Sequence, residues 1–139
     1  MPNWDAVFQA VAALFCGGAA ASGWTAAVIV ANTAFDGLDH GRADRHLRKV
    51  ISATAGFQAA LLGIATGFAL FAGANAAAIT AAIAGIGFLS NVWTLAPRKD
   101  KPAPGARKRT STVRIVAVLL TLIVTLVAVT AGVLSAFGI

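Results

Sequence analysis

The chain has 139 residues, 58% hydrophobic and only 12% charged, with a mean hydropathy of +0.81. A soluble domain carries about 25% charged residues, so an aqueous globule would lack polar surface and a membrane protein is the economical reading. The net charge of +6 does not point to nucleic acid, because all 11 Lys and Arg fall in two windows beside apolar runs, Arg42–Lys49 and Arg98–Arg114; that is the clustering of the positive-inside rule.

The first apolar run, about residues 6–32, is AVFQAVAALFCGGAAASGWTAAVIVAN, long enough at 1.5 Å per residue to cross a bilayer. Its leading flank, MPNWD, has no basic residue and carries Asp5, the wrong flank for a cleaved signal, so a true span is expected. Cys16 is the single cysteine. It excludes an intrachain disulfide or a CxxC pair and is expected to behave as a small buried hydrophobe. Trp4 and Trp93 are expected as interfacial anchors, and Trp24 as a packing residue within the span.

Next comes NTAFDGLDHGRADRHLRKV, Asn32–Val50, with Arg42, Arg45, Arg48 and Lys49, three of the five acids and both histidines. A loop is expected over residues 36–49. From Leu38 a helix can run into the second span, with Asp36 or Asp39 as N-cap. Helical spacing puts Arg42, Arg45 and Lys49 on one face and pairs Asp44 with Arg48 at i,i+4. Such a face holds phosphate or carboxylate through Arg; lipid headgroups are the expected occupant and a soluble anionic substrate the alternative. His40 and His46, six residues apart, do not match zinc spacing on a helix, and no metal is expected.

The second span, about 51–72, carries Gly56, Ala60, Gly63 and Gly67, and Gly63-Ile-Ala-Thr-Gly67 is a GxxxG. Gly73, Ala74 and Asn75 make an uncharged turn into the third span, about 76–95, where Ala77, Ala81 and Gly85 keep four-residue spacing. The first span offers Ala13, Gly17 and Ala21. Lipid gives no hydrophobic drive between helices, so small residues that admit close backbone approach are expected to seam these three together.

The basic segment APRKDKPAPGARKRTST, 96–112, holds Pro97, Pro102 and Pro104 and reads as a flexible loop. Near an anionic leaflet it gains on the order of 1 kcal/mol per basic residue; docking of a partner protein is the sharper reading. The fourth span, about 113–137, is rich in Val, Leu, Ile and Thr, with Gly132 its only glycine before Gly138. It suits lipid contact or a broad seam with another subunit.

The expected architecture is an all-α, up-down bundle of four transmembrane helices in one domain, 1–139. Basic loops on the inner face put both termini outside. Residues rich in Ala, Gly and Val fit a GC-rich bacterial genome, hence a bacterial inner membrane. No Asp, Glu, Lys, Arg or His lies within the interior of any span, which argues against an ion-coupled exporter. The polar residues within the spans include Gln9, Thr25, Asn32, Gln58, Thr66, Ser90, Asn91, Thr121 and Thr125. Asn32, Ser90, Asn91 and Gln58 either form a polar layer open to the inner side or serve as interhelical hydrogen bonds, each about 0.6 kcal/mol.

In length, span number, termini and an arginine-bearing first inner loop, with Arg45-His46-Leu47-Arg48 leading into the second span, the chain resembles the membrane-associated glutathione and eicosanoid enzymes. The resemblance implies a homotrimer that binds glutathione between subunits near the inner face. The chain departs from that family in having no Glu, no Tyr and no Arg-Ala-His core.

The leading expectation is therefore an oligomeric or accessory subunit of a membrane complex, with the bilayer, anionic lipids and other subunits as partners and no nucleic acid. A membrane enzyme or lipophilic-ligand binder, with a site at Asn32, Arg42, Arg45, Arg48, Lys49 and Asn91, is the alternative. A passive pore is a third. No cofactor is indicated.

Overall fold

The structure, a computed structural model, describes residues 3–95 and 106–139, apart from the side chains of His40, residues 106–111, Val113 and Arg114. The predicted basic segment lies outside the described residues over 96–105. Among the described residues every regular element is helical: α1 (Trp4–Trp24), a π turn (Thr25–Ile29), α2 (Val30–Gly37), α3 (His40–Phe71), α4 (Asn75–Thr94) and α5 (Ala106–Phe137). The first span is one continuous helix, Trp4–Gly37, through the π turn. Four helices are long and apolar enough to cross a membrane.

The starts and stops have local causes. Asn3 accepts a hydrogen bond from the Ala6 N–H at 3.4 Å, and Asp5 lies in the first turn, where a negative charge suits the helix dipole. In the middle of the span the Thr25 hydroxyl donates to the Ala21 carbonyl at 2.8 Å. Such back-bonding loosens and bends a helix, and the π turn begins there. Gly73 ends α3 with φ +72°. Its N–H donates to Leu70 O, and the Ala74 N–H to Ala69 O at 2.9 Å, which is a Schellman closure of the helix end. The same pattern recurs at Gly138, φ +71°, where Ile139 N–H donates to Leu134 O. The Ile139 carbonyl then accepts from the Ala77 N–H at 3.0 Å, tying the end of α5 to the start of α4.

The first basic segment is almost wholly helical, with α3 beginning at His40, two residues after the start expected for a helix running into the second span. Only Leu38, which is extended, and Asp39, at φ −57° and ψ 143°, separate α2 from α3. Asp39 is the N-cap by backbone position, without a capping side-chain hydrogen bond, and its carbonyl accepts from the Arg42 and Ala43 N–H groups. Asp36 lies in the last turn of α2 instead. At about 1.5 Å per residue the 32 residues of α3 span about 48 Å against about 30 Å of hydrocarbon. The charged start of α3 therefore has length to spare beyond an apolar slab. Likewise α5 begins at Ala106, seven residues before the predicted fourth span.

In the bundle, α1 packs on α3 and α5, and α4 packs on the same two. The central core joins Cys16, Ala19 and Ala20 with Leu62, Ala65, Ala81, Ala84, Phe88, Val124, Ala128 and Ala131. Alanine dominates because the helices touch nearly backbone to backbone. One end is closed by Ala12, Ala69, Ala74, Ala77 and Ala78 and by rings: Phe8 beside Phe68 and Phe71, and Phe15 stacked on Phe68. The other end buries Leu47, Ile51, Leu95 and Ala117. Leu14, Phe71, Ile86, Trp93, Leu126 and Phe137 are exposed on the outside of the bundle.

The seams differ from those expected. Ala81 and Gly85 do lie buried at the α3–α4 contact, where a Cβ on Gly85 would sit 3.5 Å from Leu62. At Gly17, Gly56, Gly63 and Gly67, however, an added Cβ would meet nothing within 4 Å. Among the glycines within helices, the tight approaches are at Gly23, against Phe88 and Thr125, at Gly87, against Val124, and at Gly132, 3.3 Å from Cys16. All three involve α5 or its neighbours, so the Val-rich fourth span is a close-packed member of the bundle rather than a loosely seated one. Thr125 and Val124 of α5 fill the hollows at Gly23 and Gly87, while at Gly132 the α5 glycine is itself the hollow, facing Cys16 of α1.

Candidate functional site

Two sets of polar groups are candidates: the pairs buried inside the bundle and the basic end of α3. Inside, the Gln58 Nε2 donates to Ser22 Oγ at 3.2 Å and joins α3 to α1. Asn91, fully buried, donates through Nδ2 to Thr121 Oγ1 at 2.9 Å and joins α4 to α5. The threonines satisfy their own helices: Thr66 donates to Leu62 O, Thr121 to Ala117 O and Thr125 to Thr121 O. Ser90 does the same to Gly87 O. Gln58 and Asn91 thus act as struts between helices, whereas Ser90 and the threonine hydroxyls donate within their own helices. Asn91 Oδ1 and Ser135 Oγ are buried with no hydrogen-bond partner among the described residues.

At the basic end, Ala43 and Leu47 face the core while Arg42, Arg45, His46 and Lys49 are exposed. This is the amphipathic split that a three- and four-residue spacing dictates. Arg48 lies between the two faces, its Nε 3.2 Å from Asp44 Oδ2, the i,i+4 pair expected. Partly exposed pairs of this kind contribute little stability, about 0.3–0.5 kcal/mol; their consequence is the fixed direction of the guanidinium.

The six predicted site residues do not converge. Asn32 is exposed on α2, Asn91 is sealed inside the bundle, and Arg42 and Arg45 project from α3. Arg48 and Lys49 share a recess, an open groove completed by Ser52, Ala53 and Leu95, between α3 and the end of α4. Sequence reasoning did not single out Ser52, although it stands one turn beyond Arg48 and Lys49, at the spacing that makes helix neighbours. Ser22, the partner of Gln58, carries no such local signal, because its role depends on contact across 36 residues. A second recess, lined by Ala6, Val7, Ala10, Val11 and Leu14, lies on the outer side of α1 and is apolar. Among the described residues no three His, Cys, Asp or Glu side chains come together.

Comparison with known protein families, with curated proteins and with solved structures yields no match. The likeness to the glutathione and eicosanoid enzymes therefore rests on span number, charge placement and Arg45-His46-Leu47-Arg48 alone.

Proposed function

We propose that this chain is a small four-span protein of the bacterial inner membrane that serves as a subunit of an oligomer or larger membrane complex. Its helices run up and down, with both termini outside and the basic end of α3 in the cytoplasm. The two basic windows support that orientation through the positive-inside rule. The observation that carries the subunit role is the outer face of α3. Gly56, Ala60, Gly63 and Gly67 follow one another at helical spacing, and a Cβ on any of the three glycines would meet no atom of the chain within 4 Å. Large side chains flank them, Phe57 and Ile64 among them, both exposed. In a bilayer a small-residue groove between ridges is where a second helix approaches closely. The internal polar pairs support the same reading, since they are used in holding helices together.

The test is the mass of the gently extracted particle, wild type against Gly63→Leu and Gly67→Leu. The expected result is an assembly in the wild type and a folded monomer in the variants, because the added side chains enter no part of the single-chain core. A wild-type particle with the mass of one chain overturns the subunit role.

A further inference from the structure

We propose that the groove of Arg48, Lys49, Ser52, Ala53 and Leu95 is a binding site for the phosphate of an anionic phospholipid. The inference rests on the membrane placement above and not on the assembly. Its donors are of the right kind: a guanidinium, an ammonium and a hydroxyl, brought to one recess by consecutive turns of α3. Arg48 is turned by Asp44 at 3.2 Å, and a planar fork with five N–H groups can serve a carboxylate and a phosphate together. Lys49 adds a mobile point charge.

The depth of the groove selects an amphiphile. On α3 the charged stretch His40–Lys49 ends here and the apolar stretch from Val50 begins. On α4 the exposed Trp93 lies two residues before Leu95, and Trp marks the headgroup level of a bilayer. Ala53 and Leu95 add apolar lining to the recess, which suits the glycerol and first methylenes of a lipid. Arg42 and Arg45, two turns and one turn nearer the start of α3, are exposed and outside that lining. They serve as the internal control for charge alone.

The experiment reconstitutes the full chain in nanodiscs of phosphatidylcholine containing a minor fraction of phosphatidylglycerol, and counts retained lipids by native mass spectrometry. Resistance to alkaline carbonate extraction is checked first. Protein that extracts refutes the membrane placement, whereas inserted protein that retains no phosphatidylglycerol refutes this site only. The expected result is saturable retention of phosphatidylglycerol, weakened about fivefold by Lys49→Ala, the weight of one basic residue at an anionic surface. Ser52→Ala weakens it further. Arg42→Ala, which removes the same charge, leaves it within twofold. Equal losses for Arg42→Ala and Lys49→Ala overturn the site in favour of diffuse attraction. Displacement of the lipid by millimolar inorganic phosphate overturns the lipid assignment and gives the groove to a soluble anion.

Discussion

Asn91 donates its amide N–H to Thr121 Oγ1 at 2.9 Å, while the Thr121 hydroxyl donates to its own helix at Ala117 O, 2.7 Å. Because that hydroxyl proton is committed, Thr121 is the acceptor in the pair, which fixes the Asn91 amide with Nδ2 toward α5 and Oδ1 away. The two substitutions that break the pair are therefore unequal. Thr121→Val keeps the shape and strands a buried amide donor; Asn91→Leu removes the donor and the unpartnered Oδ1 together and leaves Thr121 bonded to Ala117. A stranded buried donor costs about 1–3 kcal/mol in water-soluble proteins, and interhelical hydrogen bonds in membranes average about 0.6 kcal/mol. The expected loss for Thr121→Val is about 1 kcal/mol, and smaller for Asn91→Leu, read from unfolding in mixed SDS micelles. The double variant should be more stable than Thr121→Val alone. If Asn91→Leu is the costlier single change, the assignment of donor and acceptor is wrong.

Gly87 and Gly63 lie in similar apolar helices yet predict opposite outcomes. A Cβ at Gly87 would come within 2.6 Å of Val124 Cγ2, whereas one at Gly63 meets nothing within 4 Å. Gly87→Ala should cost about 1–3 kcal/mol, as overpacking does, and Val124→Ala should restore part of the loss. Gly63→Ala should leave the single-chain fold unharmed, since it only adds helix propensity, up to about 1 kcal/mol. The Cys16 thiol is fully buried, so its maleimide labelling rate reports bundle opening in each variant. Faster labelling in Gly63→Ala than in Gly87→Ala would contradict the packing described.

These glycines also mark the limit of what sequence carried. Four long apolar helices, the hairpin at Gly73, the burial of Cys16 and the Asp44–Arg48 pair were all legible, because each depends on local composition or on spacing within one helix. The seams were not. A transmembrane helix is apolar toward its neighbours and toward lipid alike, so periodicity does not say which face is inside. Gly63-Ile-Ala-Thr-Gly67 and the Gly87 hollow therefore look equivalent until partners are known. Over the segment Asp36–Lys49 the helix expected from Leu38 is present, beginning at His40, and Ala43 and Leu47 are buried at the basic end. The polar partners Ser22 and Thr121 stand 36 and 30 residues from Gln58 and Asn91, beyond any local pattern.

At Gly73 conformation and space separate cleanly. Its φ of +72° lies in the left-handed region, and an added Cβ would meet no atom within 4 Å. Any cost of substitution is therefore backbone strain, not collision. A left-handed L-residue costs about 1–2 kcal/mol, less for Asn, whose short polar side chain bonds locally. The expected order of stability is glycine, then Gly73→Asn, then Gly73→Ala, with Gly73→Val last because a β-branched residue is the least tolerant of positive φ. The same micelle unfolding measurement ranks them. Gly73→Ala equal to wild type would mean that the turn changes its backbone at little cost, and the Ala74–Ala69 closure that joins α3 to α4 would then contribute little to the hairpin.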